Sequence, residues 1–83
     1  MKVAVRYFAS VREALGQGET VEVEPGATVG DVRSALIARD AAHAAALHRG
    51  RAVRSALDQV LCGEDAAVGE GAEVGFFPPV TGG

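Results

Sequence analysis

The opening residues, Lys2-Val3-Ala4-Val5-Arg6-Tyr7-Phe8, put Val3, Val5 and Tyr7 on one side and Lys2, Ala4 and Arg6 on the other. A period of two over this length is the pattern of a strand buried on one face. Such a strand does not stand alone: its backbone needs neighbouring strands, and its apolar side needs a second layer. Both must come from 83 residues, enough for one domain and a modest core. We therefore expect a single domain over 1–83. Aromatic bulk is confined to Tyr7, Phe8, Phe76 and Phe77, so valine, leucine and alanine must do most of the filling.

The rest of the chain supplies both layers. Ala9–Leu15 reads as a short helical turn closed by Gly16 and Gly18, and Thr20–Glu24 alternates again, with Val21 and Val23 inward. Pro25-Gly26 breaks the chain in a turn. Thr28 is a good N-cap, Asp31 sits in the first turn, and Val29, Val32 and Leu36 recur at helical spacing, which predicts a helix over 28–39. The alanine-rich run Ala41–Leu47 extends that helix or starts another, with Gly50 as a stop. Val53–Leu57 reads as a strand, Asp58-Gln59 as a turn, and Val60–Cys62 as a short following piece. Gly63-Glu64-Asp65 and Gly69-Glu70-Gly71 read as loops, and Glu73–Phe77 as the last strand, ended by Pro78-Pro79. The resulting β-β-α-β-β order, with one main helix against one sheet face, predicts a two-layer α+β sandwich with a mixed sheet. Periodicity alone fits either a β-grasp or a split ferredoxin-like arrangement.

Several chemistries are excluded. No Gly-x-x-x-x-Gly-Lys phosphate loop occurs, and Gly69-x-Gly71 lacks the third glycine of a dinucleotide fingerprint and precedes a strand. His43 and His48 are five apart, on different faces of a helix, and read as exposed or partly packed rather than as ligands. Cys62 is the only cysteine, which rules out an internal disulfide or a four-cysteine cluster; it reads as a small buried hydrophobe in a reducing, cytoplasmic setting. Asp58 and Asp65 read as turn residues. A net charge of −3, with Arg49, Arg51 and Arg54 as the only basic cluster and no aromatics interleaved, argues against nucleic acid. No apolar stretch approaches the roughly 20 residues that span a bilayer, and the amino terminus reads as a strand rather than a signal peptide. Nothing in the interior looks like an active site, which moves attention to the end of the chain.

Residues 76–83 read Phe-Phe-Pro-Pro-Val-Thr-Gly-Gly. The diproline favours an extended segment that carries 78–83 away from the last strand as a projecting tail. Gly82 and Gly83 have no Cβ and can pass through a slit too narrow for other residues. Adjacent strand residues face opposite sides, so of Phe76 and Phe77 one is expected in the core and the other at the surface.

This octapeptide resembles the terminus of the small subunits of molybdopterin synthase, which are ubiquitin-like sulfur carriers. The likeness extends through Val3–Phe8, Ala9-Ser10-Val11-Arg12-Glu13, Asp58-Gln59, Leu61 and Gly71-x-Glu73-Val74-x-Phe76-Phe77, and leaves only about 38–51 without a counterpart. Asp58 departs from the asparagine frequent in that family. The resemblance implies a β-grasp fold and a chain that is not an enzyme on its own. It also implies a route: a separate, ubiquitin-activating-type enzyme consumes ATP to adenylate Gly83, a sulfur donor converts it to a thiocarboxylate, and the tail (Thr81, Gly82) inserts into a large subunit. There sulfur passes to cyclic pyranopterin monophosphate, within a heterotetramer. Phe76, Phe77, Pro78 and Pro79 become expected partner contacts, and no stably bound cofactor or metal is implied. Sulfur carriers for thiamine, cysteine or tRNA thiolation, ubiquitin-type modifiers and non-covalent interaction domains remain alternatives.

Overall fold

The structure is a computed structural model, and it describes residues 1–79. Its elements are β1 (Lys2–Tyr7), α1 (Ala9–Leu15), β2 (Gly18–Glu22), α2 (Val29–Ile37), α3 (Ala41–Leu47), β3 (Arg54–Leu57), β4 (Val60–Cys62) and β5 (Glu73–Phe77). The five strands form one sheet in the order β2-β1-β5-β3-β4. β1 and β5 run parallel in its interior, while β1–β2, β5–β3 and β3–β4 are antiparallel. A mixed sheet with its first and last strands, β1 and β5, side by side and parallel and the helices on one face is the β-grasp arrangement, which resolves the choice that periodicity left open.

The core is one cluster between sheet and helices. Val3, Val5 and Tyr7 of β1, Val74 and Phe76 of β5, and Val29, Val32 and Leu36 of α2 are each at most 1% exposed. Burying side chains of this size stabilises the fold by about 1.5–3 kcal/mol each. Val29, Val32 and Leu36 share one cluster with the sheet residues, so the helical stripe read from the sequence is the face of α2 that lies on the sheet.

The start of α2 is doubly capped. Thr28 Oγ1 accepts from the Asp31 amide at 3.2 Å, and Asp31 Oδ2 accepts from the Thr28 amide at 2.9 Å. The amides of Val29 and Gly30 donate to the carbonyls of Ala66 and Glu64, so the loop after β4 satisfies the next helix donors.

Several boundaries differ from the sequence expectation, among them the end of β2 at Glu22 rather than Glu24 and the start of β3 at Arg54 rather than Val53. β2 begins at Gly18 rather than Thr20, because that glycine is a pairing residue and not a breaker. A Cβ there would lie 2.2 Å from the Val5 carbonyl oxygen, and only a bare backbone comes this close to β1. The main helix stops at Ile37, where the Arg39 amide turns back to the Leu36 carbonyl. Asp40 then caps a separate α3 by accepting from the His43 amide at 2.8 Å. α3 itself ends at Leu47, ahead of Gly50.

Arg33 was not legible as special, yet it is 4% exposed and ties three segments together. Its Nε donates to the Leu47 carbonyl at 2.7 Å, one terminal nitrogen to the carbonyls of His48 and Arg51, and the other to Glu64 at 2.8 Å. Arg49 also contacts Glu64, and further donates to Ser34 Oγ and the Gly30 carbonyl. Partial burial pushes the Glu64 carboxyl up, but the hydrogen bonds from Arg49 and Arg33 outweigh it and hold the group below its ordinary range. Arg49 is exposed, yet it clamps Glu64 to the start of α2. Among the described residues no helix is long and apolar enough to cross a membrane.

Candidate functional site

The sheet face opposite the helices is uncovered, and its side chains fall in rows fixed by register. At the end where β5 leads toward the terminus, Phe8 stands beside Phe77, and Phe77 is paired with Arg54 of β3. The middle row is Arg6, Gly75, Ala56 and Leu61, and Glu73 follows on β5. Together with Ala9, Gln59 and Pro78 these residues border an open groove of about 680 Å³.

Each wall has a local cause. Phe8 extends the β1 alternation by one residue, its amide donating to the Phe76 carbonyl at 3.1 Å. Gly75 leaves a gap in the middle row that the Phe8 ring partly fills; a Cβ on Gly75 would sit 3.1 Å from that ring. Phe8 and Phe77 meet edge to face, with centroids 6.5 Å apart and planes at 81°. The Arg6 guanidinium lies 6.0 Å from the Phe8 ring centroid and 3.7 Å from the Glu73 carboxylate.

Leu61 reaches the face from edge strand β4, where the two-residue turn is made by Asp58 and Gln59 at φ of 49° and 70°. Asp58 is the turn residue the sequence suggested, and it does more. Its carboxylate accepts from the Glu73 amide at 2.9 Å and its own amide donates to the Glu73 carbonyl at 2.8 Å, fastening the hairpin to β5.

On this face Phe8 is 41% exposed and Leu61 58%, apolar side chains that border the groove without being covered. The expected division between the last two phenylalanines is present. Phe76 is 1% exposed and belongs to the core, so it is not available as a partner contact; Phe77 is half-buried on the open face. Pro78 and Pro79 are also half-buried. Thr81, Gly82 and Gly83 lie outside the described residues. Phe8 was missed as a site residue, although its place after Lys2, Ala4 and Arg6 in the alternation carries the signal.

The other sequence candidates lie elsewhere. His43 is partly packed between two carboxylates, with Nδ1 2.7 Å from Asp40 and Nε2 2.7 Å from Glu19. Cys62 is half-buried against the core. Among the described residues no three His, Cys, Asp or Glu side chains gather as a metal site. Among the described residues the groove is bordered mainly by apolar side chains, with Arg6 and Glu73 at one side, a surface that another protein can cover.

Comparison with known proteins agrees with this geometry. Molybdopterin synthase sulfur carrier subunits of Escherichia coli and Mycobacterium tuberculosis are 38% and 34% identical to the chain. The matches cover 98% and 100% of this chain, and 99% of each relative. Among solved structures, SAMP1 of Haloferax volcanii superposes with a TM-score of 0.81 at 28% identity, covering all of both chains. A putative molybdopterin converting factor subunit 1 of Pyrococcus furiosus gives 0.80 at 29%, covering 96% of this chain and 99% of that one. A protein–protein complex of subunits 1 and 2 of the Helicobacter pylori molybdopterin-converting factor shares the fold, with a TM-score of 0.68 at 22% identity over the whole of both chains. The ThiS family model matches residues 5–83, and on that match, with relatives aligned over nearly their full length, the chain belongs to the ThiS family.

Proposed function

We propose that this chain is the sulfur-carrying small subunit of a molybdopterin synthase, with the Gly83 carboxylate as its working group. The observation that carries the reading is the continuity of the exposed Phe8–Phe77–Leu61 face with the strand that leads into Val-Thr-Gly-Gly. The relatives named as sulfur carrier subunits of molybdopterin synthase support it.

The chemistry follows from the terminus. A C-terminal carboxylic acid has a pKa of about 3.5, so at neutral pH it is an anion and a poor electrophile. Attack of the carboxylate on ATP gives an acyl-adenylate and releases pyrophosphate. Sulfur at the sulfide level, delivered by a donor, then displaces AMP and leaves a thiocarboxylate. The chain has no phosphate loop, so a separate adenylating enzyme consumes the ATP, and no cofactor stays bound to the carrier. We place these steps in the cytoplasm. The open face docks the large subunit while Thr81, Gly82 and Gly83 enter its pocket, where sulfur passes to cyclic pyranopterin monophosphate. The thiocarboxylate sulfur bonds to the substrate as a thioester of Gly83, and water then cleaves the Gly83 carbonyl–sulfur bond, leaving the sulfur on the substrate and returning the carboxylate.

The test is the intact mass of the chain after incubation with ATP, an adenylating enzyme and a sulfur source. Replacement of one oxygen by sulfur at Gly83, and molybdopterin production on adding a purified large subunit, is the expected result. A chain that stays unmodified overturns the reading.

A second reading has one specific observation behind it: a solved neighbour, at 27% identity and a TM-score of 0.78, is described as a small archaeal modifier protein of H. volcanii. Joined to target lysines, this chain would appear as higher-mass conjugates through Gly83. With Lys2 as its only lysine, it would build chains on itself at that one side chain or at its amino terminus.

A further inference from the structure

The open face carries a charge that docking through apolar side chains leaves unused. Arg54 of β3 is the direct cross-strand partner of Phe77 of β5, in the row closest to the terminus. Its neighbour Ser55 is buried toward the helices and Ala56 borders the groove, so alternation along β3 sends Arg54 to the open face. Arg6 is on the same face, but the Glu73 carboxylate 3.7 Å away balances its charge. Arg54 is exposed and, among the described residues, takes part in none of the ion pairs that hold Arg6, Arg33, Arg39 and Arg49. Arg12 and Arg51 are exposed too, but neither sits on the open sheet face. The rim beside the tail therefore has a local charge of opposite sign to the chain's net −3.

We infer that Arg54 is a specificity-determining contact that meets a carboxylate on the large subunit, at the rim of the surface whose apolar side chains fill the groove. This rests on the reading that the open face docks a large subunit, and it adds the charge that subunit must present. One uncompensated cation, on a face where Arg6 is already paired with Glu73 and on a chain of net charge −3, does not suit a polyanion such as nucleic acid. An apolar groove with one guanidinium at its edge suits a protein surface with an apolar centre and an acidic border. Guanidinium is weakly hydrated and fits a carboxylate with two parallel hydrogen bonds. At a rim, such a pair acts mainly on encounter rate and on the choice of partner, and salt screens it.

The experiment measures association and dissociation of the purified chain with a purified large subunit at low and high salt, for wild type, Arg54→Gln, Arg54→Glu and Phe77→Ala. Arg54→Glu is expected to bind about tenfold more weakly at low salt, chiefly through slower association, and Arg54→Gln about threefold. Both differences should shrink near 1 M salt, where the screening length falls to about 3 Å. Melting temperatures should stay at the wild-type value, since the side chain is exposed. Wild-type affinity in Arg54→Glu at low salt overturns the inference. So does a loss that is independent of salt and accompanied by a lower melting temperature, which would make Arg54 a residue of the fold. If Phe77→Ala weakens binding and Arg54→Glu does not, the docking face stands and this inference alone fails. If wild type does not bind a large subunit at any salt, the functional reading fails and takes the inference with it.

Discussion

The two faces of the sheet share the same strands and are composed on different rules. Toward the helices β1 and β5 present Val3, Val5, Tyr7, Val74 and Phe76, all essentially without solvent contact. Toward solvent they present Lys2, Ala4, Arg6, Glu73, Gly75 and Phe77. The covered face is uniform, and its alternation alone accounts for it. The open face mixes charges, a glycine gap and aromatic rings left partly wet. No rule of folding requires that mixture, so the open face is where function is to be sought. Phe76 and Phe77, one peptide bond apart, place this contrast within two residues.

Substituting each of the pair tests the contrast most severely. Phe76→Ala opens a cavity in the core and is expected to cost about 3–5 kcal/mol of stability, measured by urea denaturation. Phe77→Ala removes a half-buried ring from an uncovered face; it should cost under about 1.5 kcal/mol of stability and weaken association with a large subunit at least about tenfold. Equal losses of stability, with association unchanged, would dissolve the distinction between the faces.

The covered face was the readable one. A period of two in β1 and the Val29–Val32–Leu36 stripe are set by a single buried side, and sequence records that directly. The errors came where a residue acts against its usual role. Gly18 reads as a breaker but is the one residue that fits against the Val5 carbonyl. Asp40 caps a new helix ahead of the alanine-rich run, and the sequence left that choice open because five alanines in seven residues carry no apolar stripe that would separate an extension from a second helix. Arg33 is a charged residue in a buried position, and its partners are carbonyls from 14 to 18 residues away, contacts that only the tertiary fold brings together. At the candidate site Phe77 was visible from the sequence. Phe8 was not singled out, although the β1 alternation puts it on the outward side; what only the fold shows is that the parallel pairing of β1 with β5 brings Gly75 and Phe77 beside it.

The tail separates function from stability more completely than either phenylalanine. If Gly83 carries the reactive carboxylate, adding an alanine after it should abolish thiocarboxylate formation. Deleting it shortens the reach by about 3.5 Å, one extended residue. Such a displacement costs on the order of a hundredfold in rate, because positioning dominates reactions between held groups. The denaturation midpoint should not move in either variant. An extended chain that still forms thiocarboxylate and supports molybdopterin production breaks the carrier mechanism.

The covered face also predicts a pH response. Burial pushes the Tyr7 hydroxyl up to about 12, Arg39 pulls it down by less and Asp40 adds a small upward push, and its proton is donated to Glu19 at 2.6 Å. In the unfolded chain the group ionises near 10. Its contribution to stability is therefore whole below pH 10 and declines as pH rises from 10 toward about 12, by on the order of 2 kcal/mol. With one tyrosine and no tryptophan, the phenolate absorbance reports this residue alone. A midpoint near 10 in the folded protein would show that the covered face admits water at Tyr7. The Tyr7→Phe variant should lose the stability decline between these pH values.

The smallest effect is expected where the two faces meet. Ala9, at the corner between β1 and α1, has φ of 53°, the left-handed region that a side chain disfavours by about 1–2 kcal/mol. It borders the groove and directly follows Phe8, so the corner helps hold that ring over Gly75. Ala9→Gly relieves the strain but adds freedom to the unfolded chain, an opposing term of about 0.4–1 kcal/mol. The net should be a gain of about 0.5 kcal/mol, with association unchanged because Phe8 keeps its place. Ala9→Val raises the strain instead, since a β-branched residue tolerates this region worst, and it should lower both stability and association as the corner and Phe8 shift together. Urea midpoints and binding measured on the same two variants decide the matter. If valine is accepted with neither quantity changed, the corner does not position Phe8, and the open face owes its shape to the Phe8–Phe77 contact alone.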